Sequence, residues 1–124
     1  MTDFEYEEEK ERIIRFFDEW RTRVGLSHWE LHHTWHRETP AGVDGGTVMT
    51  VESRWEYLWM HVDVYMAQTR ERADYDLESD VVHELCHCLV SPMSSPTAKG
   101  KERQLEEYAV SSLTRTLLVM AGKR

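Results

Sequence analysis

Basic residues are in short supply. Lys and Arg number 15 against 23 Asp and Glu, which leaves a net charge of −8 over 124 residues. Nucleic acid and anionic membranes are excluded as expected partners, because binding to either is carried mainly by Lys and Arg. Cysteine is nearly absent: the only two are Cys86 and Cys88. Two positions apart on a helix, their side chains point about 200° apart and cannot bridge. They read as small hydrophobes in a reducing compartment. No apolar run approaches the ~20 residues of a membrane span. The opening "MTDFEYEEEK" has no apolar core of a secretory signal. These absences predict a cytoplasmic protein, complete from Met1.

What is present suffices for one domain, 1–124. Apolar residues make up 40% of the chain and include five tryptophans. Residues 3–24 carry Ile13, Phe16, Phe17, Trp20 and Val24 at helical spacing, with Gly25 as a stop. Residues 28–37, "HWELHHTWHR", alternate as a half-buried strand. A Pro/Gly segment follows, then a β-branched strand over 46–53 and a third strand over 57–66. The short "RWE" between these two strands predicts an antiparallel hairpin. Helices are expected over 76–90 and 101–120, joined by the Pro/Ser/Gly loop "SPMSSPTAKG". The fold class is α+β: an N-terminal helix, a three-stranded antiparallel sheet and two further helices.

The chemistry concentrates in "VVHELCHCLV", residues 81–90. His83 and His87 are four apart, so on a helix they project about 40° from one another. Two imidazole nitrogens thereby converge from one rigid element, as zinc requires. Glu84 stands beside them at about 100°, placed to act as general base on a zinc-bound water. With His83 at zero, Asp80 falls near 60°, whereas Val82, Leu85 and Leu89 fall between about 200° and 260°. The metal-competent residues share one sector and the aliphatic ones the opposite sector.

A catalytic zinc needs a third protein ligand. The last helix offers Glu106 and Glu107. Its apolar stripe, read as Leu105, Tyr108, Ala109, Leu113, Leu117 and Met120, centres between Leu105 and Ala109. Glu106 lies roughly 60° from that centre and Glu107 about 160° away, toward solvent. Glu106 is the expected ligand.

"HELCH" followed 19 residues after His87 by "EEYAVSSL" resembles the gluzincin metallopeptidases, and more narrowly the minimal single-domain forms of phage and prophage contexts. The resemblance implies a zincin-like fold and a peptidase that attacks peptide bonds with a zinc-activated water. It implies His83, His87 and Glu106 as Zn2+ ligands and Glu84 as base. Ala109 matches the small residue often found three positions after the ligand. Val110 stands where many members carry Asp or Asn, so support for a histidine is left unassigned. The expected partner is a peptide or protein substrate, added as a strand to the sheet edge. The alternative is a zinc-binding interaction or regulatory domain without turnover, and a metal-free helical interaction domain is the third reading.

Other residues weigh less. His28, His32 and His36 share a strand face but spread over about 27 Å at ~3.4 Å per residue, so they cannot gather on one metal. His61, Tyr65, Tyr75 and Tyr108 are the candidates for polarising a substrate carbonyl; each reads first as a packing residue. Trp29, Trp55 and Trp59 are core aromatics or a groove lining.

Overall fold

The computed structural model describes residues 1–93, 97 and 99–123. Residues 94–96 and 98 of the loop after the motif, and 124, lie outside the described residues. The elements in order are α1 (Asp3–Arg23), β1 (Glu30–His36), β2 (Met49–Arg54), β3 (Trp59–Tyr65), α2 (Met66–Thr69), α3 (Asp74–Val90) and α4 (Lys101–Met120). A 3-10 turn, Trp55–Tyr57, joins β2 to β3.

Helix α1 starts in a capping box. Thr2 accepts from the Glu5 N–H and Glu5 reaches back to the Thr2 N–H. Its inner face buries Ile13, Phe17 and Trp20, at the spacing read from the sequence. Arg12 ties this helix to the segment before α3. It donates to Glu9 and Asp74 and to the carbonyls of Thr69 and Arg72. At the opposite end Trp20 Nε1 donates to the buried Glu78 at 2.7 Å, and Lys123 lies 3.4 Å from the same carboxylate.

The sheet is mixed, which corrects the expected antiparallel arrangement. Its order is β1-β3-β2, with β1 parallel to β3 and β2 antiparallel to β3. The strands run up, down and up along the chain in either arrangement; only the neighbours change. Residues 37–48 are long enough to step over one strand position, about 4.8 Å of sheet, and β3 returns into the gap. Composition explains why β3 takes the centre. Met60, Val62 and Val64 are fully buried on one face, whereas β2 carries exposed Thr50, Glu52 and Arg54 and sits at an edge. The β2–β3 hairpin agrees with the sequence reading.

Helices α1 and α3 cover one sheet face. Leu77, Val81, Val82, Leu85, Cys86 and Cys88 of α3 join Ile13, Phe17, Met60 and Val62 in one core. The buried cysteines are unpaired, and burial pushes the Cys88 thiol up to about 12. Among the described residues no helix is long and apolar enough to cross a membrane.

Helix α4 packs on α3 through Val110, Thr114 and Leu118, with Leu113 and Leu117 beside them. Leu105, Tyr108, Ala109 and Met120, which the sequence reading placed inward, are exposed. The helix is turned by roughly 160° from that expectation, at ~100° per residue. Thr114 accounts for the difference. Its hydroxyl donates to the Val110 carbonyl at 2.8 Å, so a polar side chain is buried with its donor satisfied.

Candidate metal centre

The rotation of α4 brings both glutamates to the motif helix, each from a different side. Position 107 falls within about 20° of the centre of the buried stripe and position 106 about 80° from it. Glu107, expected toward solvent, therefore faces α3. Its Oε2 lies 3.5 Å from His83 Nε2 and its Oε1 lies 3.1 Å from His87 Nε2. Glu106 approaches the other side of the same ring: its Oε2 lies 3.4 Å from His87 Nδ1. His83 and His87 stand edge to face, with ring centroids 5.0 Å apart.

His83, His87 and Glu107 each offer one donor atom within 4.8 Å of the other two. Tetrahedral zinc with ligands at about 2.0–2.1 Å places neighbouring donors about 3.3 Å apart. The two histidine nitrogens approach different oxygens of Glu107, at 3.1 Å for His87 and 3.5 Å for His83, so the three groups already stand close to that spacing. Two imidazoles and one carboxylate could together hold a metal ion. The local groups fit a cation as well, because the carboxylates of Glu106 and Glu107 both lie against the His87 ring.

Burial raises the Glu84 carboxyl to about 8, and the nearby negative charges of Glu107 and Asp80 add to the rise. Burial, with His87 close by, lowers His83 below the ordinary imidazole range, so its ring is neutral and a lone pair is available. Asp80 is raised by burial even though Arg72 holds both its oxygens, at 2.9 and 3.0 Å. That ion pair occupies Asp80, so it is not free to ligate.

A cleft of about 810 Å³ opens in front of these groups. One wall is the motif helix with His83, Glu84 and His87; the opposite wall is β2 and the turn that carries Trp55 and Tyr57. The free edge of β2 faces this space. Tyr65 N–H donates to Val48 O, and the pair shares the register of Met49↔Val64. Alternation then directs the backbone groups of Thr50, Glu52 and Arg54 toward β3 and those of Met49, Val51 and Ser53 away from it.

The carbonyl-polarising candidates do not border the cleft. His61 lies on the outer sheet face, bonded to Thr34 at 2.7 Å. Tyr65 is buried and stacks on His36, while Tyr75 and Tyr108 are exposed elsewhere. His28 precedes β1, His32 is exposed and His36 bonds to Asp63 at 2.9 Å. None of these three joins a metal-competent group among the described residues. Trp29 is buried in the core, whereas Trp55 lines the cleft. Sequence reasoning ranked Glu107 behind Glu106 and missed Tyr57. The signal for Glu107 was the Val110–Thr114–Leu118 stripe, hidden by its threonine.

No protein-family model, no curated protein and no solved structure matches the chain.

Proposed function

We propose that the chain is a zinc-dependent peptidase of the gluzincin type. The observation that carries this reading is the convergence of His83, His87 and Glu107 beside Glu84, at the mouth of a cleft bordered by an open strand. His83, His87 and Glu107 would hold the zinc. Glu106 would accept the His87 Nδ1–H, fixing the tautomer that leaves Nε2 free, which is the support the sequence left unassigned. Bound zinc supplies Lewis acidity, polarising a carbonyl and acidifying water.

The remaining chemistry falls to the chain. Backbone groups of Val51 and Ser53 can pair with an extended peptide and hold it along β2. Glu84 lines the cleft beside His83 and His87 and would serve, once ionised, as the base. It would take the proton from the attacking water and deliver it to the departing amine.

The test is metal analysis of protein purified without added metal or a nickel column, followed by peptide cleavage with and without chelator. One zinc per chain, chelator-sensitive cleavage and loss of cleavage in zinc-replete Glu84→Gln are expected. Cleavage that persists in pure Glu84→Gln overturns the role of Glu84.

One observation favours a second reading, a zinc-stapled interaction domain: none of the four carbonyl-polarising candidates borders the cleft. A ligand set that spans α3 and α4 would also serve to pin α4. Unfolding on chelation, with no turnover of any peptide, would select that reading.

A further inference from the structure

The turn that closes the β2–β3 hairpin presents two large aromatic side chains to water. Trp55 is 44% exposed and Tyr57 is 76% exposed, and both line the cleft in front of His83, Glu84 and His87. Apolar surface of this size beside a concave polar site marks a place where a ligand is met. The turn is also held in an unusual shape. Leu58, which ends it, is the only non-glycine with positive φ among the described residues, at φ 52° and ψ 51°. A branched side chain in that region is strained and persists only where its surroundings hold it. They do so here: Leu58 N–H donates to Trp55 O at 3.1 Å, and Leu58 O accepts from Glu30 N–H at 2.8 Å. The backbone that carries the aromatic pair is thus closed on itself and tied to β1 rather than left as a loose loop.

We infer that Trp55 and Tyr57 form the specificity-determining subsite of the cleft, and that it takes a peptide with a bulky apolar side chain, aromatic or branched aliphatic, a short distance from the scissile bond. This rests on the peptidase reading above. An extended peptide paired with the outward backbone groups of Val51 and Ser53 runs directly toward the turn, because residues 53–55 are continuous. Its alternate side chains project to the cleft side, and one of them meets the two rings. Aromatic side chains have few rotatable bonds to immobilise, so the contact adds affinity at small entropic cost.

The test uses zinc-loaded full-length protein and alanine-rich octapeptides in which one position in turn is Phe, Leu or Ala. Cleavage is followed in the unchanged protein, and binding by fluorescence anisotropy in Glu84→Gln. At one position Phe and Leu are expected to outperform Ala by ~10-fold or more, the scale of one well-buried apolar side chain. In the double variant Trp55→Ala, Tyr57→Ala that ratio is expected to collapse to within about twofold. Trp55→Phe with Tyr57→Phe is expected to keep it. Zinc content and circular dichroism establish that each variant is folded and loaded. A wild-type protein with no preference, or a preference that survives the double alanine variant, overturns the subsite while leaving the peptidase reading intact. A folded, loaded protein that neither cleaves nor binds any of the peptides overturns the peptidase reading, and this inference falls with it.

Discussion

Replacing Glu84 by Gln in metal-free protein is expected to make it more stable, by an amount that depends on pH. Burial raises this carboxyl from the usual 4.5 to about 8. In the unfolded chain it ionises above pH 4.5, while in the folded protein it stays protonated until about pH 8. Stability from this group is therefore full below pH 4.5 and is lost as pH rises toward 8. The ceiling on that loss is about 5 kcal/mol, at about 1.4 kcal/mol per pH unit. Glu84 is only half-buried, and solvent screening brings the figure to about 2–3 kcal/mol. Glutamine keeps the shape and carries no charge. The assay is urea denaturation of chelated wild type and Glu84→Gln at intervals from pH 5 to pH 9. The two are expected to differ little at pH 5. At pH 8.5 the midpoint of the variant should be about 1–2 M higher, for urea slopes of ~1–3 kcal/mol per M. A difference that does not change with pH, or a variant less stable at pH 8.5, would refute the reasoning. The outcome also bears on function, since a carboxylate that weakens the fold is retained for what it does.

Glu107→Ala should lower zinc affinity more than Glu106→Gln, with the latter costing about 10–100-fold as expected of a group that orients a ligand; competition with a chromogenic chelator measures both, and the reverse order would reassign the two roles. His33 is held near pKa 4, first by burial and then by surrounding positive charge, and lies edge-on to Phe17 and stacked on Trp35. Its stability contribution is full above pH 6.5 and is lost as pH falls toward 4, so chelated His33→Phe should lose about 2 kcal/mol less than wild type over that window; equal losses would show that His33 is not the acid-sensitive group. Arg12→Ala removes the donors that reach Glu9, Asp74 and the Thr69 and Arg72 carbonyls, and thermal denaturation should show a loss of about 2–3 kcal/mol.

Features set by local periodicity could be read from the sequence: the buried stripe of α1, the segregated faces of α3 and the β2–β3 hairpin. Each depends on residues within a few positions of one another. The neighbours in the sheet do not. Whether β3 lies outside β2 or between β2 and β1 is settled by how far residues 37–48 carry the chain and by which strand has the most apolar surface to hide. The phase of α4 was obscured for another reason. Leu105, Tyr108 and Ala109 make an apolar stripe that stays exposed, while the stripe that packs runs through Thr114. The pair His83 and His87 and the neighbouring Glu84 were legible because one helical turn fixes them. The choice between Glu106 and Glu107 was not, since adjacent helical residues differ by about 100° and the answer depends on that phase.

A strand edge left open for a peptide is equally open to a second copy of itself. Met49, Val51 and Ser53 present unpaired backbone groups, and nothing in their chemistry distinguishes a substrate from a neighbouring chain. The charges on alternate residues supply the protection. Glu52 and Arg54 stand together on the sheet face beside the open groups and bond to each other at 3.0 Å, so pairing two edges would bring the charged pairs of both copies side by side. Variants that neutralise these charges to improve crystallisation or binding would weaken that barrier, and concentrated solutions of them should thicken into strand-paired aggregates before any loss of fold is detectable.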